Sequence, residues 1–371
     1  MQKIRKERAV LGLFVVGLLA LSTSAFAEEQ TGSTSFWEKT KVTGQFNTSY
    51  VWNFNNPPLG VGNALRVFDV PHNDFNFNLA EIAIENSPVD WAKFRLDLNY
   101  GEDVAAVDVL KGGVIGVDEF GIQQVYAELT APVGKGLTFK IGHFVTQTGY
   151  EVIESAYNLN TSRSLLFGFA IPFTHTGVLM TYPFTDNFSA SLGVVNGWDV
   201  VGDNNKGKTI LAQLTYKPID TLFLALQGTF GPEQAASDGN LRGLVDFVGT
   251  WTPNDQWIVG VNFDLGKEEG IGGTGFANWW GGALYVHYKP FDFFGLTLRG
   301  EGFQDDGSRL LAGANTTYLE GTLTSHFYLG DGWEIRGEFR HDHADRALFT
   351  RSNGTTRRFQ DTVSAEVVYA F

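Results

Sequence analysis

Segments of about ten residues in which apolar and polar side chains alternate one by one recur along most of this chain. In "KVTGQFNTSYVWNF", Val42, Phe46, Tyr50, Trp52 and Phe54 share one face, opposite Lys41, Thr43, Gln45, Asn47, Ser49 and Asn53. "AKFRLDLNY" sets Phe94, Leu96, Leu98 and Tyr100 against Lys93, Arg95, Asp97 and Asn99. A period of two marks a β-strand whose faces meet different surroundings. In "FNFNLAEIAIEN" the apolar set moves from Phe75, Phe77 and Leu79 to Ala80, Ile82 and Ile84, which predicts a β-bulge near Leu79. The chain ends on such a segment, "TVSAEVVYAF", with Val363, Ala365, Val367, Tyr369 and Phe371 on one face.

The connections fall into two classes that alternate. Short turns such as "NSPVDW", "APVGKG", "KPIDT", "TPNDQ" and "LGDGW" carry the Pro, Asp, Asn and Gly of tight turns. Longer polar loops lie near 55–73, 101–118, 147–172, 199–207, 231–240, 266–277, 304–314 and 343–356. Seven turns and eight loops join sixteen strands. The expected fold is all-β: a transmembrane antiparallel β-barrel of about 16 strands, of the outer-membrane porin type, over residues 40–371. Lipid offers no hydrogen bonds, so a sheet placed in it must close on itself. Aromatic residues flank both classes of connection, including Trp91, Tyr182, Trp251, Trp257 and Trp333 at turns and Tyr50, Trp52, Trp198, Trp279 and Trp280 near loops. Two such bands match interfacial girdles, and the outward face of the last strand then meets lipid.

The N-terminus fits export. "MQKIRKER" is basic, "AVLGLFVVGLLAL" is apolar but shorter than the roughly 20 residues of a spanning helix, and "STSAFA" offers small residues at Ala25 and Ala27. We read residues 1–27 as a signal peptide cleaved after Ala27, and 28–39 as a short periplasmic segment. Without residues 1–27, four of 27 basic and one of 41 acidic residues are lost, and the formal charge moves from −14 to −17. An acidic chain is a poor match for nucleic acid. With no cysteine, no disulfide staples the fold.

A sixteen-stranded barrel leaves an aqueous bore. The alternation aims Lys93, Arg95, Asp97, Glu128, Lys140, Arg242, Asp246, Asp264, Arg299, Glu301, Glu320, Glu334, Arg336, Glu338, Arg340, Arg358 and Glu366 inward, and so many charges require water. Inward Gly142, Gly260 and Gly281 suggest open walls. The loop "TGYEVIESAYNLNTSRSLLFGFAIP" is unusually apolar for a surface loop. Folding into the barrel, over 147–172, shelters Leu165, Leu166, Phe167, Phe169 and Ile171 and offers Glu151, Glu154 and Arg163 to the bore. Packing on the outer rim or a neighbouring subunit is the other possibility.

"GYEVIESAYNLNTSRSLLFGFAIPFTHTG", with "FRLDLNYG" and "VGKGLTFKIGHF" before it, resembles the β-barrel porins described as OmpL-like. The resemblance runs from Phe75 to the C-terminus and is strongest over 120–200. The architecture is also similar to the general bacterial porins. That likeness implies a constricting loop with acids, here Glu151 and Glu154, facing a basic wall, here Arg95, Arg299, Arg336, Arg340 and Arg358, with Arg163 and Lys93 as further pore-lining candidates. The general porins' acidic loop motif is absent, and scattered lumen charges paired with Glu301, Glu334 and Glu338 are an equal reading. The family also implies a homotrimer, contact with outer-membrane lipid and lipopolysaccharide, and insertion by the barrel-assembly machinery reading Tyr369 and Phe371.

Three motifs are declined. "GDNNKGKT" (202–209) has P-loop letters, but a strand pattern follows where a helix is required. "GIGGTG" (270–275) has dinucleotide spacing and no helix. "HDHAD" (341–345) reads as a solvated loop rather than a metal site. No serine pairs with His143 or His175, so no catalytic residue, metal or cofactor is assigned. The expected function is passive diffusion of small hydrophilic solutes or ions. A plugged structural or adhesive surface barrel is the alternative.

Overall fold

The structure, a computed structural model, describes residues 36–111, 115–117, 119–271, 275–307, 309 and 315–371. The signal peptide 1–27, its cleavage point after Ala27 and residues 28–35 lie outside the described residues. Phe36–Lys39 forms one 3-10 turn.

The unit from Thr40 to Phe371 is the barrel. Its strands are β1 (Thr40–Asn53), β2 (Asp74–Val89), β3 (Ala92–Tyr100), β4 (Phe120–Ala131), β5 (Leu137–Val145), β6 (Thr174–Pro183), β7 (Phe188–Val195) and β8 (Thr209–Ile219). They continue with β9 (Leu222–Pro232), β10 (Leu241–Asn254), β11 (Trp257–Glu269), β12 (Phe276–Phe291), β13 (Phe294–Asp305), β14 (Thr316–Gly330), β15 (Trp333–Ala344) and β16 (Phe359–Ala370). Each pairs antiparallel with its chain neighbours. β1 also pairs with β16, from Gln45 opposite Ala370 to Asn53 opposite Thr362, and that ladder closes the sheet. Closure satisfies backbone groups that lipid cannot. Phe371 completes it, exchanging backbone hydrogen bonds of 3.0 and 3.1 Å with Gly44.

The period of two decides which side each residue meets. On β13 the outward Leu296 and Leu298 are exposed, while Thr297, Arg299 and Glu301 are buried on the inside. The pairs Leu319 with Glu320 and Phe339 with Arg340 repeat the pattern on β14 and β15. The bulge falls where the alternation slips. Asn47 faces Leu79 and Thr48 faces Phe77, so Asn78 is the extra residue. Aromatic pairs mark the turn side, with ring centroids at 4.3 Å for Trp257 and Tyr288 and 4.5 Å for Trp333 and Tyr369. Trp198 and Trp279 depart from the expected girdle. Both are buried inside, edge to face at 6.3 Å, because their indole N–H groups find acceptors there: Thr229 Oγ1 and the Ala170 carbonyl, each at 3.0 Å.

Among the described residues, several connections turn inward. The one after β5 carries a 3-10 turn (Ser155–Tyr157) and a π-helical turn (Leu166–Ala170). The one after β1 enters with Asn63–Asp69, and the one after β3 forms α1 (Glu102–Lys111). Their side chains build one apolar core with the wall, including Val67, Phe68, Leu79, Val104, Leu165, Phe167, Phe173 and Phe303. Rings of Phe68, Phe167 and Phe173 lie 4.8 to 6.2 Å apart. The short strand Ile115–Val117 adds to β4, and Phe349–Thr350 pairs with Thr356–Arg357 in the last loop.

The inward glycines serve close packing rather than an open wall. A Cβ on Gly260 meets the Tyr150 ring, and one on Gly281 meets Leu166 Cδ2 at 2.6 Å. At Gly142, with φ +140°, a Cβ meets the backbone of Val125 and Tyr126. Gly260→Val therefore displaces Tyr150 and costs about 1–3 kcal/mol. The expected readout is a lower temperature for heat-induced loss of the folded band in gel electrophoresis, with native band intensity before heating.

Candidate functional site

The loop 147–172 crosses the bore and is fastened to the wall by its own backbone. Glu301 on β13 accepts the Leu165 and Leu166 N–H groups at 2.7 and 2.6 Å. Glu338 on β15 accepts those of Thr161 and Ser162 at 2.8 and 3.0 Å, and the Thr324 hydroxyl at 2.7 Å. Glu366 on β16 accepts the Ser155 hydroxyl at 2.6 Å and the Asn47 amide at 2.9 Å. Cations on the same wall take the loop's carbonyls. Arg299 donates to Ser162 O at 2.6 Å, Arg336 to Ser155 O at 2.9 Å and Arg340 to Arg163 O at 2.6 Å. Two-residue spacing on a strand makes this possible, since Glu334, Arg336, Glu338, Arg340 and Asp342 all point inward from β15. Charge-assisted bonds to peptide groups satisfy a loop that has left bulk water.

The expected acids and bases thus meet rather than face one another across a gap. Glu151 is buried, accepts the Ser164 N–H at 2.7 Å and pairs with Arg299 at 2.7 Å. Arg299 also pairs with Glu320 at 3.0 Å. Arg336 is bidentate to Glu334 at 2.8 and 2.9 Å, and Arg340 pairs with Asp342 at 2.8 Å. Arg163 turns back into its own loop, donating to the carbonyls of Thr161, Val152 and Ile153. Glu154 is buried and accepts from Gln123 on β4, with Glu81 of β2 against it. Burial is the main reason the Glu154 carboxyl is raised above its ordinary range. Arg358 is not on the wall. It sits exposed in a bend just before β16, one residue past the short strand that ends the last loop's hairpin.

The opposite side of the bore keeps water. Lys93, Arg95, Lys140 and Glu128 are partly exposed there; Glu128 lies 3.4 Å from both lysines, and Arg95 donates to Asp97 at 2.9 Å. Lys140 rests over the Tyr126 ring at 4.5 Å. From the loop, Tyr157 is exposed beside this group. Next along the wall come hydroxyl pairs: Thr130 with Thr138 at 3.0 Å, Thr181 with Ser191 at 2.8 Å and Ser189 with Thr215 at 2.6 Å.

Two contributors escaped the sequence reading. Arg66, in the first loop, is buried between Asp69 and Asp342, both at 2.8 Å. The signal was present in "ALRVFD", an arginine among apolar residues within a polar loop. Asp103 opens α1 and is buried near Asn78 and Arg163. Burial pushes its carboxyl up to about 7 against the weaker opposing pull of Arg163 and Asn78. Of the declined motifs, 202–209 leads into β8, a strand, and residues 272–274 of "GIGGTG" lie outside the described residues. In "HDHAD", Asp342 points inward, while His341 and His343 are on the other face.

The sequence model of the family described as "Putative beta-barrel porin-2, OmpL-like" matches residues 39–371. The chain belongs to this porin family. Its fold is shared with solved outer-membrane proteins at low identity. The loop L8 deletion mutant of OmpT from Vibrio cholerae is 12% identical with a TM-score of 0.60, over 90% of this porin and 99% of that chain. The outer membrane channel DcaP of Acinetobacter baumannii is 10% identical at 0.59, over 90% and 97%. The anion-selective porin from Comamonas acidovorans is 11% identical at 0.58, over 90% and 99%. A search of the curated proteins finds no match.

Two outcomes follow for this porin. Glu301→Gln with Glu338→Gln removes the charge from four amide contacts at a cost of about 1.5–3 kcal/mol each at most. Trypsin is expected to cut after Arg163 in the double variant and to leave the native loop intact. For α1, a raised carboxyl stabilises the folded form below its ordinary value near 4, and that contribution is lost as pH rises through about 7. Protection of the 102–107 amides, taken relative to their intrinsic exchange rates, should fall between those values, and Asp103→Asn should remove that fall.

Proposed function

We propose that this porin is an outer-membrane channel for passive diffusion of small hydrophilic solutes or ions, narrowed by the loop 147–172. The observation that carries the reading is the asymmetry of the bore. The wall from β13 to β16 is neutralised by paired charge and holds the loop, while Lys93, Arg95, Lys140 and Tyr157 keep access to water on the other side. A polar, hydroxyl-lined passage beside a fixed loop suits unassisted diffusion, where bore, charge and wetting set what passes. The protein contributes no catalysis in this reading. Glu151, Glu154, Arg163, Arg299, Arg336 and Arg340 fix the constriction, and Lys93 and Arg95 tune it. Export by residues 1–27, insertion through the terminal Tyr369 and Phe371, and assembly as a homotrimer complete the reading. One likeness offers support for the last: OmpT of Vibrio cholerae, a structural neighbour, is described in a trimer form.

A specific observation favours a second reading. Inward side chains from around the barrel, among them Asn47, Asp97, Phe144, Leu211, Asp246, Arg299 and Glu366, are buried, as in a plugged structural or adhesive barrel. Single-channel conductance of the refolded protein in a planar bilayer separates the two. The channel reading expects stable steps, and a shift towards cations in Lys93→Glu with Lys140→Glu. Silence from folded native protein, with steps only in Glu301→Gln/Glu338→Gln, would establish the plug instead.

A further inference from the structure

Where the first limb of the loop 147–172 meets the wall, carboxyl groups face one another. Glu81 points inward from β2, and the Glu154 carboxyl of the loop lies against it. Both are buried. Asp97 on β3, also buried, is the next acid to each. The cations nearby are already engaged. Arg95 gives its Nε to both Asp97 oxygens, at 2.9 and 3.1 Å, and Arg163 donates to carbonyls of its own loop. The wall holds these acids together. Between β3 and β4, Asp97 faces Gln124 and Leu98 faces Ile122, so Gln123 is a bulge residue, and a bulge re-aims a side chain. Gln123 donates to Glu154 and accepts the Asn99 amide at 2.6 Å. The turn that carries Glu154 is pinned by the Ser155 hydroxyl on Glu366 at 2.6 Å and the Ala156 N–H on Gln45 Oε1 at 3.2 Å. Asn99 stands directly across the ladder from Glu81. Two oxygens are left over: Glu81 Oε2 and Asn99 Oδ1 are buried and accept no hydrogen bond, and Asn99 is only 2% exposed.

We propose that Glu81, Glu154 and the Asn99 side-chain oxygen form a calcium site that ties the loop to the wall. Two buried carboxyl groups in contact need a proton or a cation between them. One proton serves a single oxygen pair and leaves the Asn99 oxygen empty. A cation serves the carboxylates and the amide oxygen together. The donors are all oxygen, which selects a hard cation. Calcium accepts an irregular set of about six to eight oxygens, water among them, whereas magnesium demands a near-ideal octahedron. Among the described residues no three acids or histidines converge into a closed metal centre, so water completes this shell. Access is from the bore, where Tyr157, three residues on from Glu154, is exposed. Glu154 belongs to the loop and Glu81 to the wall, so the ion adds a fastening apart from those made by Glu301 and Glu338. The site rests on the seating of the loop described above and not on whether the bore conducts.

The test is equilibrium dialysis of the whole refolded barrel, stripped with a chelator, against radioactive Ca²⁺. The native protein should take up one ion per barrel with a Kd of about 10⁻⁴–10⁻³ M, the range of extracellular sites. Glu81→Gln with Glu154→Gln should lose that ion. Gln123→Leu removes the partner that orients both Asn99 and Glu154 and should weaken binding about tenfold. Asp255→Asn with Asp292→Asn, in two short turns, should bind as the native protein does. Amide exchange gives a second readout: Ca²⁺ should slow exchange over 154–157 in the native protein and leave the Glu81/Glu154 variant unchanged. The heat-modifiable folded band confirms that each variant is a barrel. Uptake that is the same in the native protein and the Glu81/Glu154 variant overturns the proposal. So does the absence of uptake by the native protein; if its 154–157 amides are then still protected, the loop seat stands, the calcium site falls and the pair is left to a shared proton. Displacement of the ion by an equal concentration of Mg²⁺ overturns the assignment to calcium.

Discussion

Carboxylates on the barrel wall that accept backbone N–H groups from the loop 147–172 are the interaction on which the interior depends. A peptide segment inside a barrel has left most of its water, and each unpaired amide there costs roughly 1–3 kcal/mol. Glu301 and Glu338 each take two consecutive amides, and the arginines beside them take the carbonyls left over. The same contacts neutralise the wall. Removing one member leaves an uncompensated charge in a confined space, which is why the network stands or falls together. Leu166 over Gly281 and Tyr150 over Gly260 then fit only where the fastening places them.

The frame was legible in the sequence because lipid imposes a strict rule. Each strand must show apolar residues outward at period two, and every edge must be paired. Thus the sixteen strands, the sorting of turns and loops, and the bulge at Asn78 all leave a local pattern. The interior leaves none of comparable clarity. An inward arginine reads the same whether it lines water or clamps a loop, since period two gives its side and not its partner. Arg299 belongs to Glu320 on the neighbouring strand and to Glu151 and Ser162, which are far away in the chain. The inward glycines misled for the same reason. A missing Cβ signals space, but the tenant comes from elsewhere. Arg358 lies where the alternation has already ended in the last loop, so period two no longer governs its side. The helix Glu102–Lys111 is short and sits within a loop, and only "EDVAAVDVLK" itself carries its pattern.

The consequence for passage is a bore divided by charge. One wall spends its ions on holding the loop; the other presents lysines, an arginine and hydroxyls to water. On the channel reading proposed above, selectivity belongs to the second wall, and conductance is governed by how firmly the first holds the loop. The two properties should therefore respond to different substitutions.

The most direct measurement is a cross-link between loop and wall. The chain has no cysteine, so Leu166→Cys with Gly281→Cys gives one defined pair. With the loop seated as described, mild oxidation of the folded protein in vesicles joins the two nearly completely, and water-soluble maleimide labels neither before oxidation. Rapid labelling of both cysteines with no cross-link, in protein that keeps its folded band, would contradict the account, because the loop would then stand away from the wall.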